Sequence, residues 1–234
     1  MNDFLAVSRA DLRSHMSLNL KNPETEHSRE SGGAAKGKRE RSKVANRHAI
    51  LDAAREVFCE LGYGETTVRD IIGRTGLASG TFYNYFRSKE EVFEALSDDS
   101  ALRIRPRLRE VRARAKTFET FLYETFEAYF AFCLEDGQTF ALMRRNAGHL
   151  RVRMDTPEIM AGMDELKADL KHAIKAGLAP PIDAEYLSAA LIGIAFEMAE
   201  QMLTRKAASP AVAARFATDL VLGGIAKVAP KVAR

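Results

Sequence analysis

An all-α fold, with a three-helix helix-turn-helix head followed by a helical bundle, is what this 234-residue sequence predicts, and three observations predict it. Beyond Lys43, apolar residues recur at helical spacing, as in Ile50, Ala54, Val57, Phe58 and Leu61. No segment alternates apolar and polar residues as a half-buried strand does. Helix-start and helix-stop residues come close together between Gly62 and Ser88 and far apart afterwards. The length suits one small and one larger domain. The pattern divides the chain into a flexible extension over 1–40, a head over 41–97 and a C-terminal domain over 98–234.

Residues 1–40 show no sustained periodicity and hold Asn, Pro, Ser and Gly clusters, which predicts an extension without fixed structure. Between Lys36 and Arg47, the basic residues Lys36, Lys38, Arg39, Arg41, Lys43 and Arg47 stand against the single acid Glu40. Such a run serves equally as a solvated tail. Its position, leading straight into the head, makes Lys43 and Arg47 candidates for a nucleic-acid backbone.

The first helix stops at Gly62 and Gly64. Thr66 or Thr67 then caps a second helix with Val68, Ile71 and Ile72 inside, ending at Thr75 and Gly76. After a tight turn through Leu77 and Ala78, Ser79 is the expected cap of a third helix reaching Phe86, and Ser88 with Glu91 reads as a capping box opening a fourth. Pro106 is expected to kink or end that helix and leave a hinge. Later helices are expected over 117–134, 138–150, 157–178, 184–205 and 210–228.

A helix-turn-helix needs a positioning helix, a tight turn and a second helix whose exposed face enters the major groove. Residues 67–85 meet these conditions. Ile71, Ile72, Leu77, Phe82 and Phe86 supply a buried seam, leaving Ser79, Gly80, Thr81, Tyr83, Asn84 and Tyr85 on or beside the outer face. Hydroxyls there suit phosphate oxygens. Lys89 puts a cation in the first turn of a helix, where the dipole disfavours it; a phosphate would account for it. The net charge is only +3, so positive charge has to be concentrated on the groove face, where Arg69, Arg74, Arg87 and Lys89 stand against Asp70.

The stretch Ile50-Leu-Asp-Ala-Ala, Phe58, Gly62-Tyr63, Thr66-Thr-Val-Arg-Asp-Ile and Thr75-Gly-Leu-Ala-Ser-Gly-Thr-Phe-Tyr-Asn-Tyr-Phe-Arg-Ser-Lys-Glu-Glu resembles the DNA-binding domain of TetR-type (TetR/AcrR) regulators. The resemblance covers roughly residues 43–96. It implies an obligate dimer on an operator in duplex DNA, its heads in successive major grooves, with a C-terminal ligand-binding and dimerisation domain. By matching position, Arg69, Ser79 and Gly80 would face bases, and Thr67, Thr81, Tyr83, Tyr85 and Lys89 would hold the backbone. A repressor released by a small hydrophobic effector is the expected function; an architectural DNA-binding protein without an effector is the alternative.

The C-terminal domain carries a second candidate site. Phe118, Phe121, Tyr123, Phe126, Tyr129, Phe130 and Phe132 give one helix more aromatic surface than a single packing face needs. They suit an ordinary bundle core or a pocket between helices. Phe126, Tyr129 and Phe130, with Met143, Arg145 and Asn146 on the next helix, are the candidate ligand-binding residues. Apolar walls closed by arginine would suit a lipophilic, acyl-bearing molecule with an anionic head; those arginines would also suit a salt-bridge cluster. The seven basic residues between Arg103 and Lys116 spread around their helix and read as a solvated face. Small residues in the last two helices permit close approach, within one subunit or across a homodimer.

No apolar run is long enough for a membrane span, and Arg9, Asp11 and Arg13 interrupt the N-terminus where a secretory signal needs an apolar core. A cytoplasmic protein is expected. Cys59 and Cys133 sit in apolar helical patterns and read as buried small hydrophobes. No phosphate-cradling loop, nucleophile elbow or metal-ligand spacing is present in the sequence, so neither an enzyme nor a cofactor is expected.

Overall fold

The computed structural model describes residues 27–145 and 156–228, with side chains over 37–142 and 156–228. Its helices are α1 (His27–Leu61), α2 (Val68–Thr75), α3 (Ser79–Tyr83), α4 (Lys89–Arg114), α5 (Phe118–Glu135), α6 (Gly137–Arg145), α7 (Pro157–Lys175), α8 (Ala184–Leu203) and α9 (Pro210–Val228). Among the described residues there is no strand, and no helix is long and apolar enough to cross a membrane.

The chain falls into two units, one ending at Ala45 and one starting at Asn46. In the first, residues 27–40 are helical, where the sequence reading expected a flexible extension; residues 1–26 lie outside the described residues. Ala, Lys, Arg and Glu dominate residues 34–45 and are strong helix formers. That propensity is independent of an apolar face, which is what a search for periodicity detects. The side chains over 37–45 are exposed, and Arg41 Nε donates to the Gly37 carbonyl at 3.2 Å.

In the second unit the head builds its own core. Ile50, Ala54 and Phe58 of α1 meet Ile71 of α2, Phe82 of α3, Phe86, and Val92, Phe93 and Leu96 of α4, all buried. Beyond it, α5 packs on α9, where buried Ala214, Ala217 and Thr218 let the helices approach closely. Leu170 of α7 and Leu187, Leu191 and Ala199 of α8 complete the bundle core. The small residues of the last two helices therefore divide: Ala199, Ala214 and Ala217 are inside, while Ala189, Ala190, Gly193, Gly223 and Gly224 face outward.

Two expectations about α4 are corrected. The helix runs through Pro106 to Arg114; proline removes one N–H and one ladder bond there, and the packing of α4 on both α5 and α7 holds the helix across the gap. The basic run is only partly a solvated face: Arg103, Arg107, Arg109, Arg114 and Lys116 are exposed, whereas Arg105 is half-buried and Arg112 buried, and the arginines are ion-paired. Arg107 pairs with Glu135 of α5 at 2.7 Å and Arg114 with Glu124 of α5 at 3.0 Å. Arg105 reaches Glu158 and Glu165 of α7, Arg109 shares Glu165, and Arg112 pairs with Asp169 of α7 at 2.6 Å. Arginines spread around the helix are what two flanking partners require.

Candidate nucleic-acid interface and ligand cavity

Local chemistry fixes the head. Thr67 is the α2 cap: its hydroxyl accepts from the Asp70 amide at 3.3 Å, and the Asp70 carboxylate accepts from the Thr67 amide at 2.8 Å. The Thr67 hydroxyl, which donates to the Asp70 carboxylate at 2.6 Å, and then the Thr67 amide hold that carboxyl below its usual range. Thr66, the other candidate cap, is buried and donates to the Gly62 carbonyl at 2.7 Å. Gly76 closes α2 at φ 67°, a left-handed conformation that strains any residue with a Cβ. The cap of α3 is Ala78, without a side-chain bond, and α3 ends at Tyr83. Ser79 is thus its first helical residue and keeps its hydroxyl exposed. Ser88 accepts from the Glu91 amide at 3.4 Å, whereas the Glu91 carboxylate reaches back past it to the Arg87 amide at 2.8 Å.

This leaves one exposed face. Arg69 on the first turn of α2, Ser79 and Gly80 on α3, and Tyr83 and Asn84 after them are exposed, Thr81 and Tyr85 are half-buried, and Phe82 and Phe86 turn inward. Arg69 has no ion-pair partner among the described residues. Arg47 is exposed with its guanidinium 5.7 Å from the Phe86 ring centre; Lys43 is exposed in the first unit. A Cβ added at Gly80 would meet nothing within 4 Å.

Two cations expected on the groove face have partners inside the head. Arg74 pairs with Glu56 at 3.0 Å and Glu60 at 2.5 Å, both on α1. Lys89 donates to the carbonyls of Tyr63, Gly64 and Thr66 at 2.8, 3.0 and 2.7 Å, with its ammonium 4.8 Å from the Tyr63 ring centre. All three donors of an ammonium are then used. The α1–α2 loop it holds gives a reason for the lysine that the sequence reading did not consider.

In the C-terminal region, one face of α4 and the facing sides of α5, α7 and α8 surround a cavity of about 200 Å³ with almost wholly apolar walls. Phe126 and Tyr129 line it as expected. Phe130 does not: it is fully buried in the bundle core, stacked on Phe126 at 5.8 Å. Asn146 and the side chains of Met143 and Arg145 lie outside the described residues. The walls also include Ile104 and Leu108 of α4, Met163 and Leu166 of α7 and Phe196 of α8, which the sequence reading missed. Ile104 and Leu108 do stand at helical spacing, but the arginines between them hid the signal.

The polar part of the wall is paired charge. Arg109 and then Arg105 hold the Glu165 carboxyl at about 2 against the opposing effect of burial. Burial pushes the Cys133 thiol up to about 12, so this cavity residue stays neutral and unreactive. One short helix joins cavity and head. Phe140 of α6 lines the cavity, Leu142 belongs to the core of the head, and the buried hydroxyl of Thr139, just before them, accepts from Arg55 Nε of α1 at 3.0 Å.

Comparison with known proteins agrees with this geometry. Residues 50–96 match the family model of bacterial regulatory proteins of the tetR family. The HTH-type transcriptional repressor Rv1474c of Mycobacterium tuberculosis is 38% identical over 61 residues, 26% of this chain and a third (33%) of that relative. A fatty acid metabolism regulator protein of Bacillus subtilis is 28% identical over 131 residues, 55% of this chain and 68% of that one. The crystal structure of the regulator FadR from Bacillus subtilis in complex with stearoyl-CoA superposes with a TM-score of 0.65 at 25% identity, over 76% of this chain and 98% of that one. FadR from Bacillus halodurans, at 23% identity and a TM-score of 0.67, covers 76% of this chain and 95% of that one and shares the fold. Residues 50–96 thus carry the DNA-binding domain of the tetR-family regulators, with the helix-turn-helix geometry that sequence specifies, ahead of an all-helical C-terminal region in the same arrangement as in these structures.

Proposed function

We propose that this chain is a sequence-specific repressor that binds its operator as a homodimer and is released by a lipophilic, acyl-bearing ligand in the C-terminal cavity. The observation that carries the reading is α6, which places Phe140 in the cavity wall and Leu142 in the head's core. A ligand displacing the one moves the other. On the DNA side, Arg69, Ser79 and Gly80 face bases, and Thr67, Thr81, Tyr83 and Tyr85 hold phosphates. The space around Gly80 supports this, because glycine costs a helix up to about 1 kcal/mol against alanine and nothing in the head's packing requires it. The relatives named for fatty acid metabolism, one with stearoyl-CoA bound, support an acyl ligand. For the dimer, α9 presents Val212, Phe216 and Leu220 outward at one-turn intervals, with Phe216 63% exposed; a second copy would cover this stripe and the outward glycines.

A thousandfold release requires the ligand to favour the DNA-incompetent arrangement by about 4 kcal/mol. The test is operator affinity across a panel of fatty acids, acyl thioesters and other hydrophobic compounds, for the natural chain and for Ala195→Phe, which fills the cavity from α8. We expect release of the natural chain by a member of the panel and a variant that binds DNA but no longer responds. A natural chain whose operator affinity and melting temperature ignore the whole panel refutes the proposal.

A further inference from the structure

Two cations of the cavity wall keep unused hydrogen-bonding capacity among the described residues: Arg105, whose Nε is buried without a partner while its two terminal nitrogens hold carboxylates, and Arg112, whose terminal nitrogens alone could form a fork. Of the wall's carboxylates, Glu158 is held by Arg105, Glu165 by Arg105 and Arg109, and Asp136 by Arg103 and the Ser100 hydroxyl. Arg112 differs. Its side chain is 3% exposed, its Nε donates to Asp169 at 2.6 Å, and its two terminal nitrogens have no partner among the described residues. Terminal N–H groups of a guanidinium in the cavity wall with no carboxylate opposite them are available to an oxyanion in the cavity.

We propose that Arg112 seats the carboxylate of a free long-chain fatty acid whose chain lies along α4 toward the head. The inference rests on the lipophilic-ligand reading above and specifies which end of the ligand goes where. The two terminal nitrogens present the fork that a carboxylate accepts bidentately. The α4 residues in the wall run from Ser97 to Arg112, about 22 Å at the helical rise of about 1.5 Å per residue. A volume of about 200 Å³ beside a wall of that length admits a single acyl chain. Arg112 is also too deeply buried to receive an acyl group carrying a nucleotide-sized thioester head. The free acid, and not its coenzyme A thioester, fits with its oxygens at this position.

The test is displacement of a fluorescent fatty acid from the purified full-length chain by myristic acid, its methyl ester and its coenzyme A thioester, for the natural chain and for Arg112→Met. In the natural chain the acid should displace the probe at least about tenfold better than the ester or the thioester, the ratio that one charge-assisted pair gives. In Arg112→Met that advantage should vanish while the ester binds as before. Equal binding of acid and ester by the natural chain overturns the proposal and needs no variant to fold. So does a thioester that binds tightest, or a variant that weakens acid and ester alike; in each of these the lipophilic-ligand reading survives. Failure of all three compounds to displace the probe overturns both.

Discussion

Replacing Lys89 by methionine separates a structural role from a DNA contact. The methionine keeps the aliphatic stem and removes three hydrogen bonds from an ammonium to the carbonyls of Tyr63, Gly64 and Thr66. A hydrogen bond to a charged group contributes about 1.5–3 kcal/mol, but three on one ammonium are not additive, and the bond to the exposed Gly64 carbonyl is replaced by water. A loss of about 2–4 kcal/mol follows, which for a chain of this size lowers the melting temperature by about 5–12 °C. Arginine should not rescue it, since a planar fork cannot reproduce three converging donors. Thermal unfolding measures the first effect, and operator affinity at several salt concentrations the second. Affinity should fall because α2 loses its anchor, with the slope of log affinity against log salt unchanged. A melting temperature within about 1 °C of the natural chain, together with a slope shallower by about one counterion, would refute the loop-clamp reasoning and return Lys89 to a phosphate.

Arg69→Ala should cost about 1–3 kcal/mol on the operator and far less on random DNA, with the melting temperature unchanged; equal losses on both sequences would remove the base-reading role. The Glu165 carboxyl, lowered from 4.5 to about 2, stabilises the folded state fully above about pH 4.5, and that contribution fades as pH falls toward 2. Glu165→Gln should therefore melt lower at pH 7 and show a flatter acid limb, measured by calorimetry across that window. Phe216→Glu puts a charge in the apolar stripe of α9 and should shift sedimentation from dimer to monomer while leaving helical content intact.

How far a feature could be read from the sequence depended on how local its cause is. The head was legible because its determinants lie within a few residues of one another: the Thr67 and Asp70 box, the left-handed Gly76, and the alternation of buried Phe82 and Phe86 with exposed Tyr83 and Asn84. The contacts of Lys89 were not legible because its acceptors are backbone carbonyls 23 to 26 positions upstream, which no side-chain pattern reveals. The ion pairs of the α4 arginines were hidden for the same reason, their partners on α5 and α7 being mostly 28 to 60 positions away. The aromatic excess of α5 did point to the cavity, yet which aromatics face it is decided by rotations of tens of degrees, finer than a periodicity resolves. The helix over 27–40 comes from propensity without an apolar face.

The position of α6 has a consequence for engineering by recombination. With Leu142 in the head's core and Thr139 bonded to Arg55, the physical edge of the head is not the start of the bundle in sequence. A head excised after residue 97 would leave a vacancy where Leu142 packs and an arginine without its acceptor. A foreign head grafted onto this bundle would meet a leucine shaped for a different core. Exchanging operator specificity between such regulators therefore calls for transplanting residues 139–142, or matching position 55 to them, along with the recognition surface. Selection for a new ligand that acts on Phe140 will likewise select on the stability of the head two residues away.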